Sequence, residues 1–542
     1  MEVVDLFLPS SNRLVNDYIS NKMDTSSFFD YDIHSPIVYE VRKNDLAKRL
    51  FDREKLVNQL LSFNKRFNYH QNTIDNIHKL EDPASVVVIG GQQAGVLTGP
   101  LYSIHKIISI IKLAKEQEEK LQIPVIPVFW IAGEDHDFAE INHVYINDPN
   151  KGISKKAVPQ RHIGKSMVSS INLEKEHLSA WVESIFETFG ETNYTNELLH
   201  RLTTYIENSQ TYVDFFIQII NDLFGETGLV LVDSGSSQIR NLEQTNFKTL
   251  IEKNKEIHDA LISQQEKISK CQYPKTIDMN ENSANIFYHL NGERVLLEYN
   301  KEHDVFSGKN NECILCTEEI LQIAAENPEQ LSNNVVTRPV MQELLFPTLA
   351  FISGPGEISY WAELKQVFSV MGIKMPPVVP RLMITLLERP IESTIGDLGL
   401  TIEGALTGEL AKVKSNWLNN HTGDVEHLIA DAKKEVEQIH KKIRMAALNI
   451  DQGLSELLVK NADLIQSQFD FLQMTINRRF LHKNEVEIKK YDRIETSLIP
   501  LGAPQERIWN IFYYLNKYGT NFVVDLLNLE YKFNWNHKVI KL

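Results

Sequence analysis

Cysteine is scarce in this chain of 542 residues, which contains three, none of them before Cys271. So few thiols cannot build the disulfide framework of a small secreted protein, and we expect a reducing compartment, the cytoplasm. Long apolar runs are also missing: no stretch approaches the ~18 residues that a membrane helix needs. The first residues lack the basic and apolar parts of a signal peptide. The sequence therefore predicts neither export nor membrane insertion.

Basic residues are outnumbered, with 56 Lys and Arg against 72 Asp and Glu, which gives a formal net charge of −16. Such an acidic protein repels polyanions, so we expect no nucleic-acid partner. Hydrophobic residues (42%) and charged residues (24%) occur in proportions that are ordinary for globular proteins. At roughly 150 residues per domain, the length predicts two to four structural units.

Four short apolar runs, each followed by glycine or serine, predict the strands of a parallel sheet. Apolar residues at helical spacing over residues 101–120 separate the first run from the second, which predicts a right-handed βαβ unit. Continuously apolar strands are typical of parallel sheets that are covered on both faces, so we predict an α/β fold. The runs are Val86–Ile89, Val125–Ala132, Leu229–Asp233 and Leu349–Ser353.

The C-terminal third carries apolar residues spaced alternately four and three apart, which predicts a long helix with a heptad seam. The pattern breaks at Asp451–Gly453 and then resumes, so we predict an antiparallel helical hairpin. This hairpin either serves as a dimerisation arm or packs on its own core. The seam residues are Val425, Ile429, Ala432, Val436, Ile439, Ile443, Ala446 and Ile450.

Two further segments complete the predicted organisation. A polar, basic stretch from about residue 150 to 185 predicts a small insertion, and Asn291-Gly292 predicts the turn of a β-hairpin. We therefore divide the chain into residues 1–150 for the first part of the core, 151–220 for an insertion with helices, 221–384 for the rest of the core with the hairpin near 285–300, 385–490 for the α-helical arm, and 491–542 for a segment that returns to the core.

The loops that follow the predicted strands are the candidate functional site, because open parallel sheets bind ligands at the carboxyl ends of their strands. The first loop reads GGQQAGVLTGP and leads into a helix. Its glycines and the helix start suit an anionic ligand, although a packing role is an open alternative. Its spacing matches neither a P-loop nor a dinucleotide fingerprint. The candidate binding residues are Gln92, Gln93, Gly95, Thr98 and Tyr102.

The second loop, WIAGEDHDFAEIN, places titratable side chains directly after a buried strand. We interpret His136 as a general base or a phosphate-orienting group, with Glu134 or Asp137 holding its ring. Two alternatives stay open. The carboxylates could bind a divalent metal, or they could cap the helix that follows.

The third group lies in SNNVVTRP and FISGPGEISYWAELK. A guanidinium at this edge of the sheet suits a carboxylate ligand, and a purely structural role is the alternative. Cys313 and Cys316 have the spacing of a metal or redox motif, but no second Cys/His pair accompanies them, so we predict no metal site. The candidate binding residues of this group are Asn334, Arg338, Gly354, Glu357, Tyr360 and Arg381.

Taken together, the motifs resemble the BshC family of bacillithiol biosynthesis cysteine ligases. The resemblance rests on GGQQAGVLTGPLYSIHKI, WIAGEDHDFAEIN, SNNVVTRP, FISGPGEISYWAELK and APQERIWN, in this order, and it extends from SSFFDY at residues 26–31 to the C-terminus. It implies ligation of cysteine to the amino group of glucosaminyl malate. It also implies a Rossmann-like core similar to the nucleotidyltransferase fold of class I aminoacyl-tRNA synthetases, with connecting-peptide insertions and a coiled-coil arm that forms a homodimer.

The resemblance also suggests roles. Because a free carboxylate must be activated before it forms an amide, ATP is the candidate co-substrate. Gln92, Gln93, Gly95 and Thr98 would bind the acyl or phosphate end, His136 with Glu134 and Asp137 would handle protons or phosphate, and Asn334 and Arg338 would bind the malate carboxylates. Gln505, Glu506 and Arg507 would form a second ligand pocket, or else helix-capping ion pairs.

Two other functions stay open, because a fold does not fix its chemistry. Another adenylate-forming ligase or nucleotidyltransferase would release pyrophosphate without needing cysteine. A non-catalytic ligand-binding or partner-binding protein would bind without turnover.

Overall fold

The computed structural model describes residues 1–67, 69–148, 151–162 and 164–542. These residues form two compact units. Unit 1 comprises Met1–Thr385 and Gln505–Ile540, and unit 2 comprises Leu386–Pro504 and Lys541–Leu542. The predicted boundary at residue 150 lies outside the described residues.

The strands of the described chain are short. In chain order they are β1 (Glu2–Leu6), β2 (Val86–Gln92), β3 (Val125–Ile131), β4 (His143–Asp148), β5 (Gly152–Ala157), β6 (Val230–Asp233), β7 (Ser283–Leu290), β8 (Glu293–Asn300), β9 (Val305–Gly308), β10 (Ile314–Cys316), β11 (Leu331–Asn333), β12 (Thr348–Ser353), β13 (Val378–Pro380), β14 (Ile384–Leu387) and β15 (His537–Lys541).

Helices make up most of the remaining described chain. The helices of unit 1 before the arm are α1 (Arg13–Ile19), α2 (Val38–Leu46), α3 (Arg53–Asn64), α4 (Gln71–Lys79), α5 (Tyr102–Leu121), α6 (Phe138–Ile141), α7 (Lys175–Phe189), α8 (Thr195–Glu207), α9 (Tyr212–Phe224), α10 (Ser237–Glu252), α11 (Asn254–Lys270), α12 (Thr317–Glu326), α13 (Thr337–Leu345), α14 (Pro355–Trp361) and α15 (Lys365–Val370). Unit 2 contains α16 (Arg389–Asp397), α17 (Ile402–Leu406), α18 (Glu409–Ile450), α19 (Ser455–Lys483) and α20 (Glu485–Leu498), and unit 1 ends with α21 (Ile511–Tyr518) and α22 (Phe522–Asn528).

The centre of unit 1 is a parallel sheet with the strand order β13-β12-β2-β3-β6. All residues of β3, β6 and β12 are buried, as a sheet covered on both faces requires. The chain runs from β2 to β3 and β6 on one side and returns to β12 and β13 on the other. Strand order therefore reverses between β2 and β12. The predicted α/β class with a Rossmann-like parallel-sheet core is confirmed.

The segment around residues 285–300 belongs to a second sheet, which is antiparallel with the order β10-β9-β8-β7-β11. Asn291 and Gly292 connect β7 to β8 with φ angles of 52° and 84°, the left-handed values that a type I′ turn demands at both positions. β4 and β5 form a separate antiparallel pair. Insertions thus follow the first half of the central sheet.

Unit 2 contains the long helices α18 and α19, which pack against each other and meet at a break at Asp451. The predicted coiled-coil arm is confirmed, but the predicted seam is divided between two faces. Ile429 is buried, whereas Ile439, Ile443 and Ile450 are each more than half exposed. The buried line on α18 includes His440 instead, whose Nε2 lies 2.9 Å from Asn461 Oδ1 on α19.

β1 and β15, the first and last strands of the described chain, belong to a small sheet with the order β1-β15-β14. β14 begins at Ile384, just before the first part of unit 1 ends at Thr385. Across the described residues, no helix is both long and apolar enough to cross a membrane.

Candidate functional site

The candidate site of unit 1 lies at the carboxyl end of the central sheet, where β2 and β12 adjoin. Lys106 on α5 reaches this point with its Nζ 2.7 Å from Gly91 O and 2.5 Å from Glu357 Oε2. Burial lowers the pKa of Lys106, and the nearby Glu357 carboxylate opposes that effect. Glu357 Oε2 also accepts the Gly354 N–H at 2.7 Å. Of these two predicted binding residues, Glu357 therefore both caps α14 at Gly354 and forms an ion pair with the buried Lys106.

The loop between β2 and α5 has a strained backbone. Leu97, Thr98 and Gly99 have φ angles of 50°, 72° and 68°, and a β-branched residue such as Thr98 rarely adopts a positive φ. The side chain of Asn510 supports this loop by donating to Leu97 O and Gly99 O, both at 2.6 Å. Strain of this kind persists only where surrounding contacts enforce it, and it is concentrated at functional sites.

Within this loop the predicted residues have different surroundings. Gly95 packs directly against Gly99, and a Cβ at Gly95 would lie 2.8 Å from the Gly99 Cα, so Gly95 serves the loop's own packing. Thr98 is fully buried, and its hydroxyl has no hydrogen-bond partner in the described chain. Tyr102 is half-buried at the first turn of α5, and burial raises the pKa of its phenol. Thr98 therefore contributes a buried hydroxyl that has no partner among the described residues.

Gln92 and Gln93 connect the loop after β2 to its neighbours. Gln92 Oε1 lies 3.4 Å from Lys106 Nζ. Gln93 Nε2 donates to Asp135 Oδ2 at 2.7 Å and to Glu140 Oε2 at 2.6 Å. Burial alone would raise the pKa of Asp135, but the hydrogen bond from Gln93, the backbone N–H of His136 and the charge of Arg294 hold that pKa below its usual value. Asp135 is thus an ionised carboxylate in the loop after β3.

His136 is half-buried and is held by a residue from the second sheet. Arg294 on β8 places Nη1 3.2 Å from His136 Nδ1, and its guanidinium lies over the Phe287 ring, 3.9 Å from the centroid. The His136 ring meets the same Phe287 edge to face, with 6.0 Å between centroids. Burial and the charge of Arg294 lower the pKa of His136.

The predicted partners of His136 have other contacts, so that part of the interpretation is corrected. Glu134 is buried, and its Oε2 lies 2.5 Å from Arg240 Nη2 and accepts the Asn333 N–H at 3.1 Å. Asp137 is exposed and caps α6 by accepting the N–H groups of Ala139 and Glu140. Asp137 therefore follows the helix-capping alternative, because a carboxylate beside free helical N–H groups is stabilised there.

Arg338 and Tyr360 line a small cavity next to Glu357. Arg338 Nη2 donates to Tyr360 Oη at 2.8 Å. The cavity wall includes the buried side chains of Trp130 and Gln342, whose N–H donors Nε1 and Nε2 have no partner in the described part of the chain. Buried donors almost always have partners, so these donors indicate a place for a ligand or water that accepts hydrogen bonds.

Two other predicted residues, Asn334 and Arg381, already form hydrogen bonds or ion pairs within the protein. This corrects the prediction that their side chains are free to bind a substrate carboxylate. Asn334 Oδ1 accepts the N–H groups of Val336 and Thr337 at the start of α13, and its Nδ2 lies 3.0 Å from Asn285 Oδ1. Arg381 forms a two-point ion pair with Glu506 at 2.5 and 2.7 Å. Neither side chain is available to a substrate without breaking these contacts.

The proposed second pocket around residues 505–507 has a structural explanation. Glu506 is buried and accepts from Arg381, and His105 Nδ1 lies 3.0 Å from its Oε2. These contacts hold the pKa of Glu506 well below its usual value despite its burial. Gln505 is fully buried and Arg507 is exposed. The ion-pair alternative therefore describes Glu506.

The sequence reasoning missed Lys106, Arg240, Arg294 and Asn510 as parts of the site. A usable signal existed for Lys106, because it lies among Ile104, Ile107 and Ile108 on a buried helix, where a lysine needs a partner. The described residues include no group of three or more His, Cys, Asp or Glu side chains arranged to hold a metal ion. Cys313 and Cys316 are free thiols, each half-buried.

Comparison with known proteins shows matches along the whole chain. The family model described as "Bacillithiol biosynthesis BshC, N-terminal Rossmann-like domain" matches residues 1–382, and the model described as "Bacillithiol biosynthesis BshC, C-terminal coiled-coil domain" matches residues 384–542. The relatives in Geobacillus sp. (strain WCH70), Bacillus licheniformis and Geobacillus thermodenitrificans are 47%, 46% and 44% identical. Each alignment covers 100% of both chains, and each relative is named "Putative cysteine ligase BshC".

Proposed function

The chain belongs to the BshC family, and we propose that it is a cysteine ligase of bacillithiol biosynthesis, which joins the carboxyl group of cysteine to the amino group of glucosaminyl malate. The observation that carries the proposal is the match to BshC relatives along the entire chain. The site at the point where strand order reverses supports it, because α/β enzymes bind small ligands there.

Arg338 supports the malate part of the substrate assignment. Glucosaminyl malate carries two carboxylates, and an arginine is well suited to binding them because of its planar array of donors. In this structure the guanidinium of Arg338 is oriented by Tyr360 beside a cavity whose wall includes the unpartnered N–H donors of Trp130 and Gln342. We assign the malate end to this cavity mouth.

Activation of the cysteine carboxylate is assigned to ATP as co-substrate. The carboxylate oxygen attacks a phosphorus of ATP and gives an acyl phosphate with ADP, or an acyl adenylate with pyrophosphate. The glucosaminyl amine then attacks the acyl carbon, the C–N bond forms, and phosphate or AMP leaves while the amine loses a proton. Thr98 supports this assignment because its buried hydroxyl has no partner in the described chain. Lys106 already forms an ion pair with Glu357, so we do not assign it to ATP.

The arm is assigned to homodimer formation. Helix α18 carries exposed apolar residues at heptad-related spacing, and α19 carries a second such row. Rows of this kind are typical of helices that pair with another chain. The exposed residues are Leu428, Ile439, Ile443 and Ile450 on α18 and Leu457, Leu464 and Phe471 on α19.

The free cysteines support a cytoplasmic location.

The test combines a purified reaction with a cellular profile. The full chain is incubated with cysteine, glucosaminyl malate and ATP, and products are identified by mass spectrometry, with each substrate omitted in turn and serine replacing cysteine as the matched control. We expect bacillithiol only in the complete mixture, together with either phosphate or pyrophosphate. Pyrophosphate released without cysteine would favour the other adenylate-forming enzyme.

In cells, a deletion strain should accumulate glucosaminyl malate and lack bacillithiol, and the intact chain should restore it. This cellular experiment also covers the case in which the reaction requires another protein. Normal bacillithiol in the deletion strain would contradict the proposed function.

A further inference from the structure

The antiparallel sheet places Arg294 against the ring of His136, and the contacts of Arg294 leave it little freedom. The side chain is 4% exposed, and its Nε donates to Ser332 Oγ at 3.1 Å. Its Nη2 donates to Asn333 O at 2.9 Å, and its Nη1 is the group that faces His136 Nδ1. With two other hydrogen bonds and the Phe287 ring fixing its plane, Arg294 presents one N–H to His136 from a defined direction.

An arginine side chain has only donors, so the atom facing it must accept. We propose that Arg294 is a positioning residue that holds His136 as a neutral imidazole, with Nδ1 accepting from Arg294 and the proton on Nε2. In this state His136 cannot remove a proton, because one ring nitrogen is occupied and the other is already protonated. His136 is therefore a hydrogen-bond donor, which replaces the general-base role that its sequence motif suggested.

The charges around His136 agree with a neutral ring. Arg294 from β8 and Lys165 from the segment before α7 are positive, and Asp135 and Asp137 from the same loop as His136 are negative. The nearest carboxylate oxygen, Asp135 Oδ1, lies 3.8 Å from Nδ1, beyond hydrogen-bond distance. Burial and Arg294 lower the pKa of His136 more than the two carboxylates raise it.

The free edge of the ring is accessible to a ligand. The His136 side chain is 31% exposed, and its Nε2 has no hydrogen-bond partner in the described chain. An Nε2–H donor at this position suits an acceptor oxygen such as that of a phosphate or an acyl carbonyl. This assignment to catalysis rests on the proposed function, whereas the tautomer does not.

The tautomer is measured by NMR on the full chain carrying ¹³C at histidine Cδ2, whose chemical shift differs between the two neutral tautomers and the imidazolium. The His136 signal is identified by its absence from the spectrum of His136→Gln. We expect the Nε2–H form at neutral pH. An Nδ1–H form or a protonated ring in the unaltered protein would overturn the proposal, and this measurement needs no Arg294 variant to fold.

Variants then test the cause. Arg294→Leu should move the His136 signal toward the Nδ1–H form, because Asp135 becomes the nearest acceptor, and Arg294→Lys should restore part of the original signal. Lys165→Gln is the matched control, since it removes an exposed neighbouring charge without removing a hydrogen bond to the ring. Equal shifts in Lys165→Gln and Arg294→Leu, or no shift in Arg294→Leu, would contradict a positioning role.

Kinetic measurements on two His136 variants separate the donor role of His136 from the proposed function. His136→Gln keeps an N–H donor, so its kcat should exceed that of His136→Ala by about tenfold or more, in line with the worth of one donor in an active site. Equal losses in the two variants would overturn the donor role. Normal bacillithiol in the deletion strain would overturn the proposed function and leave the NMR result standing.

Discussion

The side-chain amide of Asn510 donates to the main-chain oxygen of Gly99 at 2.6 Å, although the two residues are 411 positions apart in the chain. The same amide donates to Leu97 O, and Asn510 Oδ1 accepts the Phe512 N–H at the start of α21. One side chain therefore fastens the C-terminal segment to the strained loop after β2. Asn510, the last residue of the motif APQERIWN, supplies this contact.

Asn510→Asp should loosen this loop while keeping the cap of α21. The variant loses the side-chain N–H groups, so Leu97 O and Gly99 O lose their hydrogen bonds. We therefore expect the unfolding free energy to fall by about 2 to 4 kcal/mol, and kcat/KM to fall as well. Urea denaturation and ligase kinetics measure the two effects. Asn521→Asp, at an exposed position of the same segment, introduces the same charge as a control. Equal behaviour of both variants would refute the role of Asn510.

Lys106→Met should destabilise unit 1 because Glu357 loses its buried partner. Removing one member of a buried ion pair typically costs about 3 to 5 kcal/mol. The double variant Lys106→Met/Glu357→Gln should recover part of that loss, since no unpaired carboxylate remains. A double-mutant cycle in urea measures the coupling between the two residues. Additive losses would mean that the 2.5 Å contact contributes no coupling to stability.

His537→Gln should weaken the dependence of stability on pH under acidic conditions. Burial lowers the pKa of His537 from 6.5 to about 4, and its Nε2 lies 2.8 Å from Thr385 Oγ1. Between those two values the unfolded chain binds a proton that the folded chain does not, so the unfolding free energy falls as the pH falls from 6.5 to 4. The contribution of this group is about 3 kcal/mol.

Thermal or urea unfolding between pH 7 and 4 measures that slope. The slope should be shallower in His537→Gln, whose amide keeps a partner for Thr385. Some slope should remain from His289, because burial lowers its pKa to about 3. His303→Gln, at an exposed position, is the control. An unchanged slope in His537→Gln would contradict the prediction.

Ile443→Lys and Leu464→Lys should convert the dimer that we propose into monomers. Both side chains are more than half exposed on the arm, and a buried lysine without a partner is unfavourable at a helix interface. Sedimentation velocity of the full chain measures the mass. Gln438→Lys, at an exposed polar position of α18, should remain a dimer. A monomeric unaltered chain would contradict the dimer assignment.

Arg338→Lys should impair binding of glucosaminyl malate more than the chemical step. A hydrogen bond to a charged group contributes about 1.5 to 3 kcal/mol, so KM for glucosaminyl malate should rise by roughly 10- to 100-fold, with kcat much less affected. Tyr360→Phe should show a smaller rise, because it only removes the group that orients Arg338. Arg161→Lys, at an exposed position, is the control. A loss confined to kcat would exclude Arg338 as the malate-binding residue.

The sequence was informative where structure depends on neighbours in the chain. The apolar runs at Val86 and Val125 identified strands β2 and β3, because burial on both faces leaves a local signature. It was uninformative where the partner is distant: Arg294 and His136 are 158 residues apart, and no local pattern indicates that they touch.

Local hydrogen bonding also explains two misassigned residues. Asp137 lies directly before α6 and Asn334 lies three residues before α13, and each accepts the N–H groups two and three residues later. For Asp137 the sequence offered this capping alternative, whereas the turn formed by Asn334 was not predicted. On α18, the heptad spacing was correct, but spacing alone does not say which of two apolar faces packs inside the arm.

The division of the chain into units sets an order of events during protein synthesis. Unit 2 follows Thr385 along the chain, whereas Asn510 belongs to the later part of unit 1. A ribosome therefore finishes the helices of the arm before it delivers the residue that clamps the loop at Gly99. A nascent chain therefore contains all the helices of the arm while the loop at Gly99 still lacks its contact with Asn510.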